Sequence, residues 1–288
     1  MKLKVLFEDK NVMVVDKPAG IAVHPDARTT NKDITISDLI LSYDKKIAKV
    51  GEPMEVEYKG KKIKILRPGI VHRLDRETSG ALLIAKNQKT FLMLKKQFQD
   101  HKIKKIYRAF VYGFVSDPKA SLLTGKRGVI NAPIGRSPND IRMWTAGRGA
   151  RPPLREAVTE YIVLNRFEVP PLLTKEGNEG RFLINSPLPD PLLAKEREKG
   201  EVNCFSYIEA YPKTGRTHQI RVHMRYINHP IVSDPLYRGA KEKALGMKRL
   251  ALHSYSITFR LPNGELKTVE SPLPADFKKV INKYLSLK

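Results

Sequence analysis

Cysteine is all but missing from this sequence, with Cys204 alone among 288 residues. A single thiol closes no internal disulfide and offers zinc no thiolate cluster, which excludes a disulfide-stapled scaffold and points to the reducing cytoplasm. Long apolar runs are missing as well. The opening stretch MKLKVLFEDKNVMVVDKP alternates instead of building an apolar segment toward a cleavage site, so neither a signal peptide nor a membrane span is expected. Carboxylates are scarce: 30 Asp and Glu stand against 53 Lys and Arg, for a formal charge of +23. The excess is spread along the whole chain and so describes a surface field that attracts polyanions. Without a strongly amphipathic basic helix, nucleic acid is the expected partner and a membrane is not. The histidines form no HExxH and meet no paired cysteines, so no metal is assigned. What is present is 41% apolar content, enough for an ordinary core.

The chain is organised around VHRLDRETSGALLIAK, Val71 to Lys86. A polar loop crowded with charge lies between Gly69-Ile70-Val71 and the run Ala81 to Ala85, which reads as a buried strand behind a hinge at Gly80. Loops held between buried elements are where rigid scaffolds present chemistry. Asp75 is flanked by Arg73 and Arg76, with Thr78 and Ser79 available to hydrogen-bond it. Neighbouring guanidinium groups favour its ionised form, which makes it a candidate anionic nucleophile at neutral pH. Taken alone, the same cluster also reads as an ordinary Arg-Asp staple of the loop.

Periodicity places the other elements. Lys4 to Phe7 and Val12 to Val15 read as strands, the second running into a turn where Pro18 fixes one dihedral and Gly20 permits a reversal. Lys17 in that turn either meets a phosphate or braces the turn. Ser37 to Ile47, capped by Thr35 or Ser37, and Thr90 to Phe98 read as helices. Lys95, Lys96, Lys102, Lys104 and Lys105 form a basic patch on and beyond the second helix, either a solvated face or a phosphate contact. Ile103 to Val115 reads as a strand with Tyr107, Ala109 and Val111 on one side. A Gly- and Pro-rich stretch follows, carrying Arg127, Arg136, Arg142, Arg148, Arg151 and the single Trp144, a basic and partly aromatic loop or hairpin. Beyond strands at Glu156 to Phe167 and Phe205 to Tyr211, a helix capped by Thr217 sets His218, Arg221 and Arg225 along one stripe. A strand at Arg249 to Arg260, an LPNGE turn and a helix at Pro274 to Leu285 complete the chain. Many strands, few helices and many hairpin turns give an α+β fold with a mixed, largely antiparallel sheet. One domain spanning residues 1–288 is expected, with an insertion around 168–201.

Several strings carry a resemblance. His72 to Gly80 resembles the HRLDxxTSG signature of the RluA family of RNA pseudouridine synthases. VVDKPAGIAVHP, the K-x-Y-x-A-x-V arrangement from Lys105 to Val111, PKTGRTHQIRVHMRYINHPIVSDPLY and RLALHS resemble further motifs of the same family. The resemblance implies a pseudouridine synthase fold, its active site in a cleft across the middle of the sheet flanked by helices and loops, and an isomerase that needs no cofactor. It implies that Asp75 is the catalytic carboxylate, that Tyr107 stacks on the target base, and that Arg221 pairs with Asp75. Arg73, Arg76, Thr78, Lys17, Arg216, His218, Gln219 and Leu252 are the residues expected to bind substrate. The implied partner is ribosomal or transfer RNA, met by a monomer without an obligate protein partner. Many relatives carry an S4-type domain ahead of the core; here the resemblance begins near Val5, so a core without that domain is expected. Ser233 stands where the family has Gly, which assigns a φ > 0 turn to a residue with a side chain. Two rivals are a non-catalytic RNA-binding or ribosome assembly factor, which has no use for an isolated carboxylate, and a glycoside or nucleoside hydrolase, which needs two. Only one acidic residue stands out.

Overall fold

Two uninterrupted apolar runs set the centre of the fold, because a strand buried on both faces has no polar side to show. In the computed structural model they are β2 (Val12–Lys17) and β5 (Ser79–Ala85), paired antiparallel, with Val12 to Val15 and Ala81 to Ala85 fully buried. The structure describes residues 1–25, 29, 33–58, 61–65, 67–115, 127–169, 203–239 and 244–285.

The main sheet also contains β1 (Val5–Glu8), β6 (Lys104–Tyr112), β7 (Gly128–Asn131), β11 (Val158–Val169), β12 (Asn203–Pro212), β13 (Leu252–Arg260) and β14 (Leu266–Glu270). Its order is β1-β2-β5-β13-β6-β12-β11-β7, with β14 alongside β13. Only β5 and β13 pair in parallel among these described strands; the other pairings are antiparallel, as the mixed sheet requires. A hairpin of β3 (Met54–Tyr58) and β4 (Lys61–Ile65) forms within the Lys-rich stretch before the central loop. The Arg-rich segment folds as a small separate sheet of β8 (Ile134–Arg136), β9 (Trp144–Ala146) and β10 (Arg151–Arg155).

Helices cap and cover the sheet. Thr35 caps α1 (Ile36–Tyr43) in a reciprocal box with Asp38, and Asn87 caps α2 (Gln88–Gln99). Such a cap contributes about 1 kcal/mol. Near the end of α2, Gln97 ties to Arg260 of β13 by two 2.9 Å hydrogen bonds, one to each backbone group. From α4 (Ala275–Tyr284), Phe277 packs against Phe110 of β6, ring centroids 5.1 Å apart, and Tyr284 stacks on Phe167 of β11 at 5.7 Å.

Three sequence expectations shift. The helix α3 runs Gln219–Tyr226 and its N-cap is His218, at φ 55° and without a side-chain cap, so Thr217 does not cap it. Strand β11 runs past the expected end at Phe167 through Glu168 and Val169, paired with Cys204 and Asn203. Residues 170–202 lie outside the described residues. Strand β6 ends at Tyr112, before Gly113 turns at φ 80°. Ser233 does take φ 56°, and its hydroxyl donates to the Met247 carbonyl at 2.7 Å.

Gly80 is the residue that lets β5 and β13 meet. It sits at φ 113°, and a Cβ there would lie 2.2 Å from the Ser254 carbonyl oxygen. Gly80→Ala is therefore expected to destabilise the protein by about 3 kcal/mol, combining overpacking with left-handed strain. Urea unfolding of the variant checks this.

Candidate active site

The Asp75 loop is held from both sides before it offers any chemistry. On one side His72 accepts the Leu83 N–H through Nε2 at 2.9 Å and stacks on Phe98 with centroids 4.8 Å apart. Burial, then the charge of Lys105, pushes its pKa down to about 3, so the ring is neutral and free to accept. Between pH 3 and the ordinary value of 6.5 the unfolded chain binds a proton here that the folded chain does not. Stability is thus expected to fall as pH drops below about 6.5, and the urea midpoint should fall less steeply in His72→Gln.

On the other side, the fully buried Lys17 ammonium donates to the carbonyls of Pro18, Ile21 and Arg76 at 2.8, 2.7 and 2.9 Å. The expectation that Lys17 reaches substrate is corrected: three backbone acceptors hold its charge away from the cleft, and burial lowers its pKa to about 7. Arg76 is displaced as well. It faces Ala22, Val23 and His24 behind the loop, and its guanidinium donates to Thr29 at 3.1 Å.

The other expected residues, Asp75, Tyr107, Arg221, Arg73, Thr78, Arg216, His218, Gln219 and Leu252, line one cleft of about 540 Å³. Arg73 is exposed within it, whereas Arg216 donates to the Glu156 carbonyl at 2.9 Å. Gln219 has no free polar atom for a ligand. Its oxygen accepts from Thr214 and the Arg216 N–H, and its amide donates to Val158 and Thr159, so it braces the wall. The Thr78 N–H donates to the Asp75 carbonyl at 3.1 Å and closes the turn that presents the carboxylate.

Arg221 reaches Asp75 Oδ2 at 3.3 Å from α3. Its stronger partner is Asp234, bound in a two-pronged pair with both contacts at 2.8 Å. Asp234 is fully buried and also accepts the N–H groups of Leu236 and Tyr237. Sequence reasoning did not single it out. Its signal was the position it occupies in the HPIVSDPLY string, behind Arg221 rather than facing substrate. Burial alone would raise the Asp75 pKa, but the Arg221 guanidinium, by charge and hydrogen bond, together with the charge of Arg73, outweighs it and holds the carboxyl below its ordinary range. It is an anion at neutral pH.

His218 lies 4.0 Å from Asp75 through Nε2, and its Nδ1 is 2.8 Å from the Tyr237 hydroxyl. Burial, opposed by Asp75, pushes its pKa down to about 4, so the imidazole is neutral. The Tyr237 hydroxyl, whose pKa burial pushes up to about 12, accepts the backbone N–H of Trp144 at 2.9 Å. Its own proton is then directed at Nδ1, which leaves the imidazole proton on Nε2, facing Asp75. Tyr237→Phe removes that direction and strands the Trp144 N–H, and is expected to cost about 1–3 kcal/mol; chemical denaturation measures it.

Tyr107, 9% exposed, forms the floor together with Leu252. Burial, then the charge of Asp75, raises the phenol pKa, so it keeps its proton and can donate but not abstract. No group of three His, Cys, Asp or Glu among the described residues could hold a metal ion. No helix among them is long and apolar enough to cross a membrane.

A family model described as RNA pseudouridylate synthase matches residues 11–226. Over 283 residues the chain is 30% identical to an uncharacterized RNA pseudouridine synthase of Synechocystis sp., covering 97% of this chain and 68% of that protein. It is 33% identical over 294 residues to ribosomal large subunit pseudouridine synthase D of Neisseria meningitidis serogroup B, covering 98% and 61%. An uncharacterized RNA pseudouridine synthase of Bacillus subtilis is 30% identical over 282 residues, covering 98% and 72%. The chain thus spans between 61% and 72% of the length of these curated relatives. Among solved structures, human RNA Pseudouridylate Synthase Domain Containing 1 has the same fold, with a TM-score of 0.63 at 20% identity over 95% of this chain and 84% of that one. Human RNA Pseudouridylate Synthase Domain Containing 4 superposes at 0.62 with 22% identity, covering 99% and 95%.

Proposed function

Since the chain belongs to the RNA pseudouridylate synthase family, we propose that it isomerises a uridine of ribosomal or transfer RNA, with Asp75 as the catalytic carboxylate. The observation that carries this is a single ionised carboxylate at the cleft, faced by the Arg221 guanidinium and the His218 imidazole above a tyrosine floor.

The isomerisation breaks the bond from N1 of uracil to C1′ of ribose, rotates the base, and forms a bond from C5 to C1′. The C5 proton leaves and N1 gains one, so the nucleotide keeps its formula. A carboxylate serves this by adding to the sugar, by adding to the base, or by taking a ribose proton to give a glycal. Arg221, anchored by Asp234, keeps Asp75 charged and aimed from a largely buried position at the cleft. The uridine must leave its stack to arrive there, and the Tyr107 ring offers it a replacement face worth about 1–3 kcal/mol. Leu252 beside it covers the apolar part of the base. The +23 charge draws the polyanion in. The same reading takes residues 1–288 as one monomeric catalytic domain working in the cytoplasm.

Release of tritium from C5-labelled uridine in RNA tests the proposal. Release without free uracil is the expected result; free uracil would make the protein a hydrolase, and no release would leave only an RNA binder. Mapping pseudouridine in RNA from cells with and without the gene identifies the target.

A further inference from the structure

The cleft extends past the residues that the proposed chemistry uses. Beyond Tyr107 it is walled by Arg67, Phe98 and Lys105, which come from the approach to the central loop, the end of α2 and the start of β6. This arm is positive, and Glu52, the carboxylate whose charge reaches Arg67, is itself paired with Lys95 at 2.6 Å. Arg221 is bound by Asp234 and Lys213 pairs with Glu160 at 3.0 Å, but Arg67, Arg73, Lys105 and Arg216 make no ion pair among the described residues. Arg67 lines the cleft with no carboxylate bound to its guanidinium among the described residues, and its buried Nε has no protein acceptor. The Lys105 ammonium has one long contact, 3.4 Å to the Thr214 carbonyl, and lies 6.0 Å from the Phe98 ring. Burial lowers the pKa of both cations, with Lys105 brought to about 8. Two partly buried cations without a carboxylate partner among the described residues fit an anion that brings its own charge.

Its position says which anion. Lys105 and Tyr107 stand two residues apart on the same face of β6, about 7 Å along the strand. An anion on Lys105 therefore lies beside a base stacked on Tyr107, where the backbone flanking an unstacked nucleotide has to run. We propose that Arg67 and Lys105 form a phosphate subsite that grips the RNA backbone next to the target uridine. The isomerase reading enters only in naming RNA as the source of the phosphate.

The test is the salt dependence of binding to a fluorescein-labelled RNA of ten uridines, followed by anisotropy between 50 and 200 mM salt. Each phosphate contact on a single strand contributes about 0.7 to the slope of log affinity against log salt. Arg67→Met and Lys105→Met should each flatten the slope by about that amount, while Arg67→Lys should keep it. Lys279→Met, on α4 outside the cleft, controls for net charge and should leave the slope in place. Thermal melts report whether Arg67→Met folds, and the partly exposed Lys105 supplies an independent variant. Slopes equal to wild type in both Met variants overturn the subsite. Tritium release with unchanged slopes removes the subsite alone; altered slopes without release keep it and remove the isomerase.

Discussion

Replacing Asp75 by Asn is expected to lower turnover by about 10⁴-fold or more while RNA affinity stays within about threefold. The substitution preserves shape and leaves an oxygen for Arg221 to approach, so it removes charge and nucleophilicity and little else. Arg221 is not orphaned, because its two short contacts run to Asp234. The fold should survive for the same reason. Binding should survive because the cationic walls of the cleft outnumber this one anion. Tritium release under single-turnover conditions, paired with anisotropy on the same RNA, measures both quantities. Turnover equal to wild type would refute the assignment.

Asp234→Ala should damage the protein by another route. Arg221 is 3% exposed, and without Asp234 its charge retains a single 3.3 Å contact to Asp75. Breaking a buried ion pair from one side costs about 3–5 kcal/mol, much of it the penalty of the abandoned charge. The Leu236 and Tyr237 N–H groups lose an acceptor as well. Urea unfolding should show the loss. Adding Arg221→Met should recover much of the stability without recovering turnover, since the mate of Asp75 is then gone. A double variant no more stable than Asp234→Ala would place the damage in backbone support for the 234–237 turn.

Much of this site was legible because its parts are local strings. The Asp75 loop, the Tyr107 strand and the Arg221 helix each carry a compact pattern, and their meeting follows from the sheet order that sets β5, β13 and β6 side by side. Residues whose role depends on direction were less legible. Lys17 and Arg76 are cations close to Asp75 in sequence or space, yet both are turned onto neighbouring protein groups. Asp234 escaped notice because a carboxylate that serves a guanidinium from behind has no periodicity to announce it. The His218 cap was hidden for a similar reason: left-handed backbone is set by the surrounding turn, whereas Thr217 has the composition of a cap.

The parallel contact at Gly80 also joins stretches that are remote in sequence. Ser79 and Gly80 pair with His253 and Ser254, and Asp75 meets Arg221 across 146 positions of sequence. Contacts spanning so much chain form slowly, because loop closure costs entropy before it returns any energy. Until Leu252–Arg260 lies between β5 and β6, the strand that follows the Asp75 loop and the strand that carries Tyr107 are not joined.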